Sequence, residues 1–243
     1  MYDVLKDIVT HTNALGFVEL VKVTSDTKET QLDAMASDRS VVVDAKFKAP
    51  IKTFEGTFGM PNLTKLNVIL NIPEYKDRAK ITVVTQKKNE VEVPVSVHFE
   101  NAAGDFKNDY RFMSAEIVAT QLSTVKFRGA KWHLSVVPTA AAIQRFKYQA
   151  QANSEETTFI AKTEGGDLKF FFGDHSTHAG NFVFQAGVTG TLSKEWSWPI
   201  TQVVAILSLD GDKVMKFSED GAAMITVDSG LAEYNYILPA QQK

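Results

Sequence analysis

A chain of 243 residues with 44% hydrophobic and 23% charged side chains has a globular composition, able to bury a core and unlike a disordered segment. It contains no cysteine, which excludes disulfides, thiolate nucleophiles and cysteine-type zinc sites and fits a reducing compartment. Its 26 basic and 29 acidic side chains leave a net charge of −3, which argues against coating nucleic acid by bulk attraction but leaves a locally basic face open.

From the N-terminus, Val4, Leu5, Ile8, Thr12 and Leu15 share one side of a helical projection, so a helix is predicted over Asp3 to Leu15 with Asp3 as its N-cap. Lys6 and Asp7 interrupt the apolar pattern, so the segment is no signal peptide. No apolar run approaches the ~20 residues that span a bilayer, and the chain reads as cytoplasmic. Strands follow at Phe17 to Thr24, Thr30 to Ala36 and Val41 to Lys48, the last alternating Val43, Ala45, Phe47 against Asp44, Lys46, Lys48. A helix opened by Pro61 and strands at Ala79 to Gln86, Val91 to Glu100 and Asp109 to Met113 complete the first half. Ser114 to Gly129 reads as a connector whose middle, Ala115 to Leu122, lies extended on a domain surface. Then come a strand at Lys131 to Val137, a helix at Thr139 to Gln151, and strands at Thr157 to Thr163, Asp167 to Gly173 and Asn181 to Val188. Pro199 opens Ile200 to Leu207, read as a helix although its β-branched residues favour a strand locally. Strands at Lys213 to Ser218, Ala222 to Val227 and Glu233 to Leu238 close the chain.

The order of elements in the second half repeats that of the first. An internal repeat predicts a symmetric assembly of stacked or ringed modules. The fold class is α+β, helices on one face of antiparallel sheets, with a first domain at 1–114, a connector at 115–130 and a second domain at 131–243.

Four segments resemble the DNA polymerase sliding clamps of the proliferating cell nuclear antigen family. They are LDAMASDRSVVVDAKF (Leu32 to Phe47), FGMPNLTKLNVIL (Phe58 to Leu70), NDYRFM (Asn108 to Met113) and the tail YNYILP. The short cysteine-free sequence is most similar in character to clamps of T-even-like bacteriophages. The resemblance implies two modules per subunit, a closed homotrimer with helices lining the hole, and duplex DNA bound without sequence preference. It also implies a replicative DNA polymerase tethered to the ring, an ATP-driven clamp loader, and location in the host cytoplasm if phage-encoded. It requires no enzyme activity and no cofactor.

Helical projection places Gln144, Arg145 and Tyr148 away from the core side of their helix, with Lys147 at its flank. Lys65, Thr64 and Asn71 occupy the matching face of the Pro61 helix, and Lys6 that of the first helix. These faces read as ordinary solvated helix surfaces; under the resemblance, Lys6, Lys65, Gln144, Arg145, Lys147 and Tyr148 face DNA. The resemblance also implies a partner-peptide pocket of Met35, Arg39, Ser40, Leu122, Tyr236, Leu238 and Pro239, residues that otherwise read as core and edge packing. For the subunit contact, the large apolar residues of Tyr110, Arg111, Phe112, Met113 and of Leu168, Phe170, Phe171, Phe172 mark two edge strands that would pair between chains.

His175 and His178 form an H-x-x-H beside Asp174, but no further ligand has usual spacing, and a solvated loop is the plainer reading. Asp210 and Asp212 read as a hairpin turn. No Walker, Rossmann or nucleophile-elbow signature is present, and the chain offers no catalytic set. Beside the clamp stand two other readings: a β-rich structural or virion assembly protein, and a hydrolase using Asp174, His175 and His178.

Overall fold

The computed structural model describes residues 1–88, 91–122, 127, 129–174 and 178–241. It has the expected α+β character and falls into two compact units, Met1–Lys126 with Ser229–Tyr234, and Phe127–Asp228 with Asn235–Lys243.

In the first unit, α1 (Tyr2–Thr10) forms where Leu5, Ile8 and Val9 recur at helical spacing, and all three are buried. It stops short of the expected Leu15. The Thr12 hydroxyl donates to the Ile8 carbonyl at 2.6 Å and His11 Nδ1 lies 2.9 Å from the Asp7 carbonyl, so side chains occupy acceptors of the last turn. Gly16, at φ 84°, then turns the chain away. Asp3 is not the N-cap; Met1 is, and Asp3 stands in the first turn, where a carboxylate suits the helix dipole.

β1 (Leu20–Ser25), β2 (Thr30–Met35) and β3 (Val42–Phe47) follow as antiparallel neighbours, Val23 opposite Leu32 and Leu32 opposite Ala45. The predicted alternation holds in β3, where Val43, Ala45 and Phe47 are buried and Asp44 and Lys46 exposed. β4 (Gly56–Pro61) has no counterpart in the sequence reading, because two glycines and a proline look like turn chemistry. It nevertheless pairs with β1 along its length, Phe58 opposite Val23. Pro61 therefore closes a strand instead of opening a helix. The cap of α2 (Leu63–Leu70) is Asn62, whose side chain accepts from the Lys65 amide at 3.3 Å.

β5 (Lys80–Lys88), β6 (Val91–Glu100) and β7 (Lys107–Arg111) form a separate antiparallel sheet in that order. The Phe112 amide bonds the Val95 carbonyl of β6, whereas the Met113 amide bonds Gly59 on the opposite side. By strand alternation the amides of Asp109 and Arg111 point the same way as Met113, away from β6. The connector is not extended at its start: Ala115–Gln121 is a helix, α3. Val118 is wholly buried against Gly59, where a Cβ would stand 2.9 Å from Val118 Cγ2, so the missing side chain makes the seat for α3.

The second unit opens with β8 (Leu134–Val136) and α4 (Ala140–Ala152), whose N-cap Thr139 accepts from the Ala142 amide at 3.1 Å. β9 (Thr158–Glu164), β10 (Asp167–Gly173), β11 (Ala179–Gln185) and β12 (Ser197–Pro199) form a sheet in the order β11-β10-β9-β12. Ile200–Leu207 is helical as expected, α5, burying Ile200, Val203, Ile206 and Leu207. β13 (Asp212–Ser218), β14 (Ala222–Asp228) and β15 (Ala232–Pro239) follow, and β13 lies between β14 and β8. The core is aromatic: Phe146 of α4 contacts Phe159, Phe170 and Phe172, and Trp198 lies between Phe159 and Phe217.

The repeat is thus physical. β1, β2 and β3 match β9, β10 and β11; α2 matches α5; β5 and β6 match β13 and β14. In the first unit the third strand is covered, the Lys48 amide just beyond β3 donating to the Leu231 carbonyl at 2.9 Å. Its counterpart β11 is the last strand of its sheet, and β7 is the last strand of its own. Among the described residues no helix is long and apolar enough to cross a membrane.

Candidate functional site

The expected DNA-facing residues lie on helices α1, α2 and α4, and each unit presents its own set. In the first, Lys6 Nζ donates to Asn71 Oδ1 at 3.0 Å, linking α1 to the end of α2. Lys65 is exposed on α2, one turn from Val68, which is 62% exposed and was not among the expected contacts. Asp7 does not spoil this face. Its carboxylate accepts from the Tyr234 hydroxyl at 2.8 Å and lies 3.3 Å from His11 Nδ1, a ring stacked on Tyr234, so that charge is turned inward.

In the second unit Gln144 and Tyr148 are exposed, Tyr148 by 62%, while Lys147 is half-buried. Arg145 is committed elsewhere than a bare projection implies. Its guanidinium donates to the Val183 carbonyl at 3.1 Å and lies 5.2 Å from the Phe182 ring centre, so it packs on β11. Sequence projection misses this because it knows only the helix, not the strand alongside. α5 carries no charged residue. Burial lowers the pKa of the Lys213 ammonium just beyond it, with Asp210 and Asp212 opposing that and Lys147 adding to it. Asp210 stands in the turn from α5 to β13 and Asp212 opens β13, so the two do not form a hairpin turn.

The expected subunit contact is corrected on one side. β10 is an interior strand, hydrogen-bonded to β9 and β11, and Leu168, Phe170 and Phe172 are core residues with at most 1% exposure; only Phe171 is half-exposed. The free edge is the next strand, β11. On the other side Tyr110 is buried, its hydroxyl bonded to the Pro61 carbonyl and its pKa pushed up chiefly by burial. Phe112 is half-buried and stacks on Phe58, Met113 is bridged to Gly59, and Arg111 alone is exposed.

Of the expected partner pocket, the first unit holds Met35, half-buried at the end of β2, Arg39, exposed at φ 60°, and Ser40, buried with its hydroxyl donating to Asp38 at 2.6 Å. Leu122 is half-buried at the end of α3. In the second unit Tyr236 and Leu238 have no exposed surface, because this stretch of β15 is packed as core, and only Pro239 is exposed. Neither buried side chain can touch a partner directly.

A groove of about 690 Å³ in the first unit does lie open, between the β5–β6 hairpin, Phe58 and Phe112, and the start of α3. Lys88 Nζ sits 2.7 Å from Glu116 Oε1 at its rim. That bond, with the helix-start amide and Ser114, holds the Glu116 carboxyl down to about 2. Its small stabilisation is complete above pH 4.5 and lost as pH falls through about 2. Lys88→Ala should move the Glu116 titration upward toward 4.5 by carboxyl NMR; an unmoved value would dissolve the pair.

Among the described residues no three His, Asp or Glu side chains are grouped to hold a metal ion. His178 and Asp174 are both exposed, and His175 falls outside the described residues.

The arrangement has counterparts among solved structures. The PCNA of Thermococcus kodakaraensis matches with a TM-score of 0.69 and 14% identity, over 99% of this chain and 97% of that one. A. fulgidus PCNA, solved with the C-terminal region of FEN-1 bound, matches with a TM-score of 0.71 and 10% identity, over 100% of this chain and 97% of that one. The fold is that of the PCNA sliding clamps. No protein-family model and no curated protein sequence matches the chain. At such identities the likeness speaks for the PCNA backbone and not for side chains, so each functional residue rests on its own geometry.

Proposed function

We propose that this chain is a sliding clamp of phage type, a homotrimeric ring that encircles duplex DNA and tethers a replicative polymerase. The observation that carries the reading is the mismatch between covered and uncovered edges. β3 is covered by the end of the repeat that follows it; β11, its counterpart, ends its sheet uncovered, and so does β7. Pairing β7 of one copy with β11 of the next repeats the same design head to tail, and three such contacts close a ring. Ring closure makes retention on DNA topological, so no base contacts are needed and a tethered polymerase rebinds at high effective concentration. The phage-type character is supported by the chain's lack of cysteine.

DNA would meet Lys6, Lys65, Lys147 and Tyr148 transiently, with Arg145 bracing α4 on β11. For partner contact the exposed or half-exposed Met35, Arg39 and Leu122 of the first unit are proposed, and separately Pro239 of the second. The decisive experiment is primer extension on primed circular DNA with a polymerase, an ATP-driven loader and this protein; unchanged product length would refute the clamp reading. Lys65→Ala, Lys147→Ala and Tyr148→Ala combined should cut DNA retention severalfold at physiological salt, with the difference from the parent narrowing at higher salt, while solution mass stays that of the parent. Retention equal to the parent's would remove these residues from the hole.

A head-to-tail contact can also run on as an open filament, which keeps the structural or virion reading alive. Light scattering separates the two: a discrete trimer supports the ring, and mass growing with concentration supports the filament.

A further inference from the structure

We propose that the outer edge of β5 is a strand-addition site for an extended, acidic segment of a partner protein. The inference rests on the repeat and goes beyond the clamp reading, since neither DNA nor ring closure enters it. In the second unit β13 is covered on its outer side by β8, with Leu134 opposite Phe217 and Val136 opposite Met215. Three residues after β8, α4 begins. In the first unit β5 holds the position of β13, and none of the described residues makes a backbone bond to the outer edge of β5.

The direction of the open groups follows from the register. Arg111, whose amide points away from β6, stands opposite Ser96, so the backbone groups of Ser96 are directed toward β5. Ser96 is opposite Val84, which therefore bonds inward, and alternation aims the amides of Ile81, Val83, Thr85 and Lys87 at the open side. Thr85 stands opposite Pro94, which has no amide to offer, in keeping with that assignment. The register shift at Val84/Thr85 puts its extra residue on β6, at Val95, so β5 itself runs nine residues without a bulge. A long regular edge without a partner is a template for another strand.

Charge selects the occupant. β5 carries Lys80, Lys87 and Lys88, the last already paired with Glu116 at 2.7 Å, and no acidic residue. A second copy of β5 would set lysine rows side by side, which is unfavourable, whereas an acidic strand is matched. Val84, 40% exposed, offers an apolar position on one face.

The test uses the 243-residue chain and the peptide acetyl-Glu-Val-Thr-Val-Glu-Thr-Glu-amide, read by amide hydrogen exchange. In the free chain the amides of Ile81, Val83, Thr85 and Lys87 should exchange fast and those of Thr82 and Val84 slowly. Peptide should slow the four outward amides about fivefold or more, which reports bonding at that edge. A counterpart with Lys in place of Glu should not. Two variants should abolish the effect: Thr85→Pro, which removes one outward donor without touching the ladder to β6, and a chain in which Leu-Ser-Val-Val-Pro-Thr, the sequence of residues 134–139, is fused ahead of Tyr2 to supply a covering strand. The proposal is overturned if the four amides are already protected in the dilute free chain, if the acidic peptide leaves them fast, or if the lysine peptide protects them equally. Protection that rises with protein concentration alone would overturn it in favour of a second copy.

Discussion

In the proposed ring, Arg111→Pro should leave single chains of 26.9 kDa in light scattering, whereas Arg111→Ala should keep the trimer. The difference isolates the backbone. The Arg111 amide points away from β6, so proline removes a donor from the free edge of β7 without breaking the ladder inside the sheet, and edge strands tolerate proline. In a β7–β11 contact the facing carbonyl would then be buried without a donor, costing about 1–3 kcal/mol per interface. That weakens each contact by roughly fivefold to 150-fold, and a ring needs three of them at once. Alanine keeps the amide and loses only an exposed side chain. If Arg111→Pro remains trimeric, the contact lies elsewhere; if both variants dissociate, the side chain and not the strand edge holds the subunits.

What the sequence disclosed and what it hid divide along a physical line. Strict alternation located β3, because a strand with one buried face repeats every second residue. The core side formed by Ala142 and Phe146 located α4. Pattern failed where a partner decides. β4 reads as a turn until β1 lies beside it, and α3 exists because Val118 finds the seat left by Gly59. An interior strand and an edge strand carry the same alternation, so Leu168, Phe170 and Phe172 looked like an interface although β9 and β11 flank them. The tail misled for the same reason: Tyr236 and Leu238 resemble a family's exposed pocket floor, but both are wholly buried. Among candidate DNA contacts, projection put Lys65, Arg145 and Tyr148 on exposed faces, where the structure has them, but could not foresee the bond from Arg145 to Val183, 38 residues away.

Phe170→Ala separates core from interface at the point where the two readings diverge most. The Phe170 ring has no exposed surface and contacts Phe146, Phe159, Phe182, Phe184 and Phe217, its centre 4.3 Å from that of Phe184. Truncating such a residue removes its transfer energy and leaves a cavity that stacked rings on several elements cannot all collapse into, so a loss of about 3–5 kcal/mol is expected. At an m-value of about 1–3 kcal/mol/M in urea, the unfolding midpoint of the second unit should fall by roughly 1–5 M. The measurement belongs in the Arg111→Pro background, where loss of assembly has already been counted and any remaining shift reports the fold of one chain. Near-ultraviolet circular dichroism follows this transition directly, since six other phenylalanines and Trp198 form one cluster with Phe170. An interface residue would leave that monomer's midpoint unchanged, and such a result would return β10 to the subunit contact.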